Sequence, residues 1–153
     1  MKFNFLLLLL TSLIAVTLSQ QRLDTSKIQS YSNGLFWTSV GGVRLVLKGV
    51  DWRFTYYNES SVLISPSEIS PPGNYVQYNG PEKQLSIVNI TNTVDFPPQV
   101  LWEIRPSPLK IYPPLFYICI KFDPSMCATA VETGIVIANS VNDERQFWIF
   151  DKS

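Results

Sequence analysis

The sequence contains no histidine, two cysteines, two methionines and seven glycines in 153 residues. The missing histidine excludes Ser-His-Asp and Cys-His nucleophiles, histidine acid–base catalysis and His-ligated zinc. The cysteines lack the Cys-x-x-Cys spacing of a redox pair. There is no Gly-rich phosphate loop, P-loop or nucleophile elbow. Charge of either sign is also scarce, with 12 Lys and Arg against 12 Asp and Glu. That balance gives no reason to expect nucleic acid or an anionic membrane as partner. The carboxylates Asp51, Glu68, Asp95, Glu103, Asp123, Glu132 and the pair Asp143-Glu144 are scattered. A glycosidase needs two of them about 5–10 Å apart across a cleft, and no spacing here selects such a pair. The expectation is a binding protein rather than an enzyme, without metal or cofactor.

What is present begins with an apolar leader. Lys2 is the only early charge, and it is followed by Phe5 to Leu10 and Leu13 to Leu18. Thr17 and Ser19 supply small residues at −3 and −1 of a cleavage site. The run is too short to serve as a membrane anchor, and Gln20-Gln21 follows at once, so residues 1–19 read as a signal peptide. A secreted, extracellular protein with no membrane insertion is expected. Its 134 remaining residues carry 11 basic and 12 acidic side chains, enough chain for one core and too little for two. In such a compartment Cys119 and Cys127 are expected to form a disulfide across the turn pair Asp123-Pro124. Closing so short a loop contributes about 2–3 kcal/mol in the chain-entropy model. Two glycosylation sequons stand at Asn58-Glu59-Ser60 and Asn89-Ile90-Thr91, the first in a polar stretch and the second in a strand-like one.

Residues 20–34 are polar and without period, and read as an N-terminal tail. From 35 to 153 the pattern is that of a single all-β domain. Val43, Leu45 and Leu47 alternate with polar residues, as do Val50, Trp52, Phe54 and Tyr56. Val100, Trp102 and Ile104 alternate with Leu101, Glu103 and Arg105, and Phe116, Ile118, Ile120 and Phe122 with Tyr117, Cys119 and Lys121. Gln146 to Asp151 is apolar nearly throughout, as a strand buried on both faces or closing a barrel would be. No window shows helical period. The eleven prolines punctuate loops, with doublets at Pro71-Pro72, Pro97-Pro98 and Pro113-Pro114.

Self-similarity is the informative feature. Ile90-Thr91-Asn92-Thr93-Val94-Asp95 is echoed at Ile137-Ala138-Asn139-Ser140-Val141-Asn142, and more faintly at Val46-Leu47-Lys48-Gly49-Val50-Asp51. Each copy leads to a tryptophan phrase: Gln99-Val100-Leu101-Trp102, Gln146-Phe147-Trp148 and Trp52 alone. Three units of about 45 residues fit a β-trefoil, in which each unit gives two strands to a six-stranded barrel and a hairpin to its cap. A β-sandwich with tryptophan in its buried strands is the alternative. Gln146-Phe147-Trp148 resembles the Gln-x-Trp phrase of ricin-B-like trefoils, where the tryptophan packs in the core of its repeat. The second copy carries one inserted residue, and Trp52 lacks the glutamine.

The resemblance implies two binding functions. Ricin-B-like lectins stack a sugar on an aromatic ring and hold its hydroxyls with an aspartate followed by a glycine-rich turn. This chain offers Tyr57, Tyr75, Tyr78 and Tyr112 but no such aspartate, since Asp123 is followed by Pro124-Ser125. Mushroom β-trefoil protease inhibitors are similar in having apolar Trp strands that end in proline-rich loops. A stiff loop suits inhibition because it has lost most of its entropy before it enters a protease cleft. The loop from Pro106 to Pro114 fits, with Lys110 for a carboxylate-lined pocket and Ile111 across the scissile bond. Arg105 fits less well because Pro106 follows it. Leu109 to Tyr112 could equally be a short edge strand with its lysine in water. A second stiff stretch, Ser65 to Pro72, could make an accessory contact. Peptidase inhibition through Lys110 and Ile111 is the first expectation and carbohydrate binding the alternative, so the expected partner is an extracellular protease or a glycan.

Overall fold

The computed structural model describes residues 25–68 and 73–152. The expected signal peptide, 1–19, lies outside them, as does 69–72 of the second proline-rich stretch. Twelve strands follow in order: β1 Thr25–Ser30, β2 Phe36–Thr38, β3 Arg44–Val46, β4 Trp52–Tyr56, β5 Val62–Pro66, β6 Asn74–Gln77, β7 Ser86–Asn89, β8 Trp102–Pro106, β9 Phe116–Ile120, β10 Asp123–Val131, β11 Gly134–Asn139 and β12 Trp148–Asp151. Each third of the chain holds four. Its first and fourth strands enter a barrel, in which β1 pairs with β4, β4 with β5, β5 with β8, β8 with β9, β9 with β12 and β12 with β1, all antiparallel. The closed ring leaves no free edge. The second and third strands of each unit pair as hairpins, β2–β3, β6–β7 and β10–β11. The chain is a β-trefoil.

The repeated tryptophan explains the symmetry. Trp52, Trp102 and Trp148 open the fourth strand of each unit and are fully buried. A buried indole N–H needs an acceptor. Each finds it on the second strand of its own unit, at Trp37 O (3.4 Å), Val76 O (3.1 Å) and Ala128 O (3.1 Å). The accepting position is therefore a tryptophan, a valine and an alanine in turn. Trp37 fills the space that a smaller residue leaves elsewhere, meeting Trp52 and Trp148 edge-on at centroid distances of 5.7 and 5.3 Å. The contact with Trp148 packs ring against ring between the first and third units. The exchange leaves a trace, because the buried Trp37 Nε1 has no hydrogen-bond partner. Two residues beyond each repeat tryptophan, Phe54, Ile104 and Phe150 pack against the same core. The third strands and the residues just before them add Val43 and Leu45, Leu85 and Ile87, and Ile135 and Ile137.

The three hairpins are stitched into one cap. Leu45 N donates to Thr133 O (2.8 Å) and Leu85 N to Ile135 O (3.1 Å). Gln84 closes the circuit, its amide donating to Val43 O and its carbonyl accepting from Ile135 N at 3.2 Å. One side chain of the second unit thus ties together the first and the third.

Several sequence readings change. Part of the stretch read as a tail is β1, which pairs with β12, β2 and β4. Its inward side chains are Ser26, Ile28 and Ser30, all buried, and two serines hid the alternation. The turn that brings the cysteines together is Lys121-Phe122, and Asp123-Pro124 already belong to β10. Ser65 and Pro66 are part of β5, with Pro66 buried, so the second proline-rich stretch begins inside the barrel. Val43, Leu45 and Leu47 do not share a strand, because β3 ends at Val46 and Leu47 is exposed.

Gly49 is required by close approach. A Cβ there would lie 2.4 Å from Phe36 Cβ and 2.8 Å from Trp37 O. Overpacking of this kind costs about 1–3 kcal/mol. Gly49→Ala is expected to lower the unfolding free energy by that amount and the urea midpoint with it, measured by urea denaturation of the purified chain. An unchanged midpoint would contradict the packing described.

Candidate binding surface beside the loop between the second and third units

The connection from β8 to β9 runs from Ser107 to Leu115 at the barrel end opposite the hairpin cap. Its base is pinned by Ser107 N donating to Leu115 O (2.8 Å), with the Leu115 side chain buried beneath. Ser107 Oγ accepts from Leu109 N at 3.1 Å. Every residue from 108 to 114 is exposed and none is in a strand, so Leu109 to Tyr112 is not an edge strand. Lys110 and Ile111 face solvent, and no hydrogen bond or ion pair holds the Lys110 ammonium among the described residues.

Beside this loop lies an open groove of about 640 Å³, bordered by Tyr112, Pro114, Phe116, Gln29, Asp151 and Lys152. Tyr112 is 95% exposed and stands at its mouth. The Phe116 and Phe150 rings, 5.0 Å apart, supply apolar surface. Gln29 Nε2 donates to Gly34 O (2.9 Å), which fixes the amide. The volume falls in the range of about 300–1,000 Å³ usual for small-ligand sites, and apolar walls with a few polar groups are their usual lining. A second cleft, lined by Arg53, Thr55, Ser65, Asn74 and Tyr75 among others, measures only about 100 Å³.

Of the four candidate tyrosines, three are engaged in packing. Tyr57 and Tyr75 lie edge-on to Phe96 at 5.4 and 5.2 Å, and Tyr78 lies against Phe122 at 5.8 Å. Tyr112 is the one whose ring stands clear. The groove itself was not legible in the sequence, since Gln29, Phe116 and Asp151 meet only through the pairing of β1, β9 and β12.

The glutamine of the Gln-x-Trp phrase has a structural task. Gln146 is buried, its Oε1 accepts from Val141 N (3.1 Å), and its Nε2 donates to Thr129 Oγ1 (3.0 Å) and Asn139 O (2.8 Å). It ends a one-turn 3-10 helix, Glu144–Gln146, whose second-unit counterpart is Pro98–Val100. Counting back from each tryptophan, Val100 takes the place of Gln146, while Gln99 points to solvent. The inserted residue therefore displaces the glutamine from the core. Asp143 caps the third-unit turn, accepting from Arg145 N (2.9 Å) and pairing with the Arg145 guanidinium at 2.7 Å. Hydrogen bonds from Arg145 hold the Asp143 carboxyl below its ordinary range.

Cys119 and Cys127 form the expected disulfide between paired positions of β9 and β10. Both are fully buried, which makes the bond a staple rather than a redox centre. Arg105, considered as an inhibitory residue, instead packs its guanidinium against this bond, donating to Cys119 Sγ (3.3 Å) and Pro124 O (2.9 Å) over the Tyr117 ring. Burial raises the Tyr117 hydroxyl pKa, and that hydroxyl donates to Asn142 Oδ1 at 2.6 Å. No cluster of potential metal ligands occurs among the described residues.

No protein-family model and no curated protein matches the chain in sequence. Solved structures do match in shape. A designed threefold-symmetric protein, ThreeFoil, aligns at TM-score 0.62 and 6% identity over 85% of this chain and 99% of its own. The ricin B-like lectin of Macrolepiota procera, solved with lactose, aligns at TM-score 0.63 and 14% identity over 84% and 95%. A Culex salivary protein of the Cysteine and Tryptophan-Rich family aligns at TM-score 0.67 and 15% identity over 85% and 94%. The chain shares the β-trefoil fold with all three.

Gln146→Ala would remove three hydrogen bonds made by a buried amide, a net loss of about 0.5–1.5 kcal/mol for each. Chemical denaturation is expected to show a loss of at least that size, and no loss would contradict the network. The lowered pKa of Asp143 stabilises the fold above the ordinary carboxylate pKa, and this contribution disappears as pH falls through the folded value. Asp143→Asn is therefore expected to lower Tm at neutral and alkaline pH and to converge with the parent chain at acid pH, which flattens the acid limb of a Tm-versus-pH profile.

Proposed function

We propose that the chain is a secreted, non-enzymatic, carbohydrate-binding β-trefoil that takes a glycan in the groove beside Tyr112. The observation that carries this reading is the nearly fully exposed Tyr112 ring at the mouth of a groove that also presents Gln29, Asp151 and Lys152. A sugar offers C–H faces for an aromatic ring and hydroxyls for amide, carboxylate and ammonium groups, and this surface supplies both kinds of partner. The fold shared with a lactose-complexed lectin supports the reading. A glycan array should select a ligand, and calorimetric titration should then show Tyr112→Ala weakening it about tenfold or more, equivalent to about 1.4 kcal/mol. The melting temperature should stay the same, because the ring makes no core contact. Binding unchanged by Tyr112→Ala would refute the site.

One observation favours a second reading, inhibition of a serine protease. The same loop is pinned at its base and holds Lys110 free in solvent, the arrangement that a trypsin-like pocket accepts. On this reading Lys110→Ala abolishes inhibition of trypsin-like enzymes and leaves stability unchanged, and equal inhibition by the variant would exclude it. The two substitutions, two residues apart, separate the two functions.

A further inference from the structure

We infer that Asn58 is a site of N-linked glycosylation and that Asn89, the other sequon, stays unmodified. Asn58 lies in the exposed link between β4 and β5. Its Oδ1 accepts from Ser60 N (3.0 Å), Ser61 N (2.8 Å) and Ser60 Oγ (3.5 Å). The carbonyl side of the amide is therefore turned toward the chain, and Nδ2, with no partner among the described residues, is turned toward solvent. This turn is local, its hydrogen bonds lying wholly within Asn58 to Ser61. The Asn89 amide is used the other way round. Its Nδ2 donates to Asn74 Oδ1 (3.3 Å) across the β6–β7 pair, and a Cβ on Gly73 would lie 3.5 Å from it. Asn89 is exposed as well, but a sugar on its nitrogen would have to displace this bond between the two strands.

The reaction forms a bond from Asn58 Nδ2 to the anomeric carbon of a lipid-diphosphate-linked oligosaccharide. The anomeric C–O bond to the diphosphate breaks, the lipid diphosphate leaves, and Nδ2 gives up one proton. The inference rests on secretion but not on the glycan-binding reading. The link that carries Asn58 joins the first and second units at the same end of the barrel as the Ser107–Leu115 connection, so the attached glycan would project from that end.

The full chain should be expressed in a secreting eukaryotic host, both with its own leader and behind a host leader to separate entry from occupancy. Intact mass before and after amidase digestion in ¹⁸O water is expected to show one glycan, with the label at position 58. Ser60→Ala, which keeps the Asn58 acceptor and its turn, should remove that mass, whereas Thr91→Ala should leave it unchanged. A label at position 89, or no glycan on chain secreted behind the host leader, would overturn the inference.

Discussion

Three indole N–H groups organise this molecule. Each repeat tryptophan is wholly buried, and its nitrogen can be satisfied in one place, a carbonyl on the second strand of the same unit. That bond ties the strand entering the barrel to the hairpin that covers it. Barrel and cap are therefore linked at the equivalent position in all three units. The cost of an unpaired buried donor, about 1–3 kcal/mol, enforces the geometry three times over. Trp37 shows what happens when the symmetry is broken. Its ring adds packing between two units, and its own nitrogen goes without a partner.

Only the barrel strands and the hairpins are held to this rule. The links between units are free of it, and the candidate functions lie there. The link from β8 to β9 is long, proline-rich and exposed, with both readings of function resting on residues two apart, Lys110 and Tyr112. The link from β4 to β5 is short and carries Asn58. The fold fixes where these segments leave and re-enter the barrel, and their own residues decide what they meet.

Much of the architecture was legible in the sequence because tryptophan and alternation are strong signals. The 47-residue echo from Ile90 to Ile137 and the three tryptophan phrases predicted the trefoil. β1 escaped because Ser26 and Ser30 face inward beside Ile28, and a buried serine looks like a surface one in a pattern of polarity. The Gln-x-Trp phrase marked the tryptophan as the core residue and was silent on its glutamine, whose buried place, two before the tryptophan, falls on Gln146 in the third unit and on Val100 in the second. The site was legible only in part. Lys110, Ile111 and Tyr112 stand together in the chain, whereas Gln29 and Asp151 join the groove through strand pairing that only the folded barrel displays.

The central claim is that a glycan occupies the groove beside Tyr112, and amide chemical-shift mapping during titration with an array-selected saccharide tests it most directly. The account predicts shifts confined to Gln29, the 112–116 stretch and residues 149–152, growing to saturation with added sugar. Shifts centred on the hairpin cap or on the β4–β5 link, with the groove silent, would contradict it.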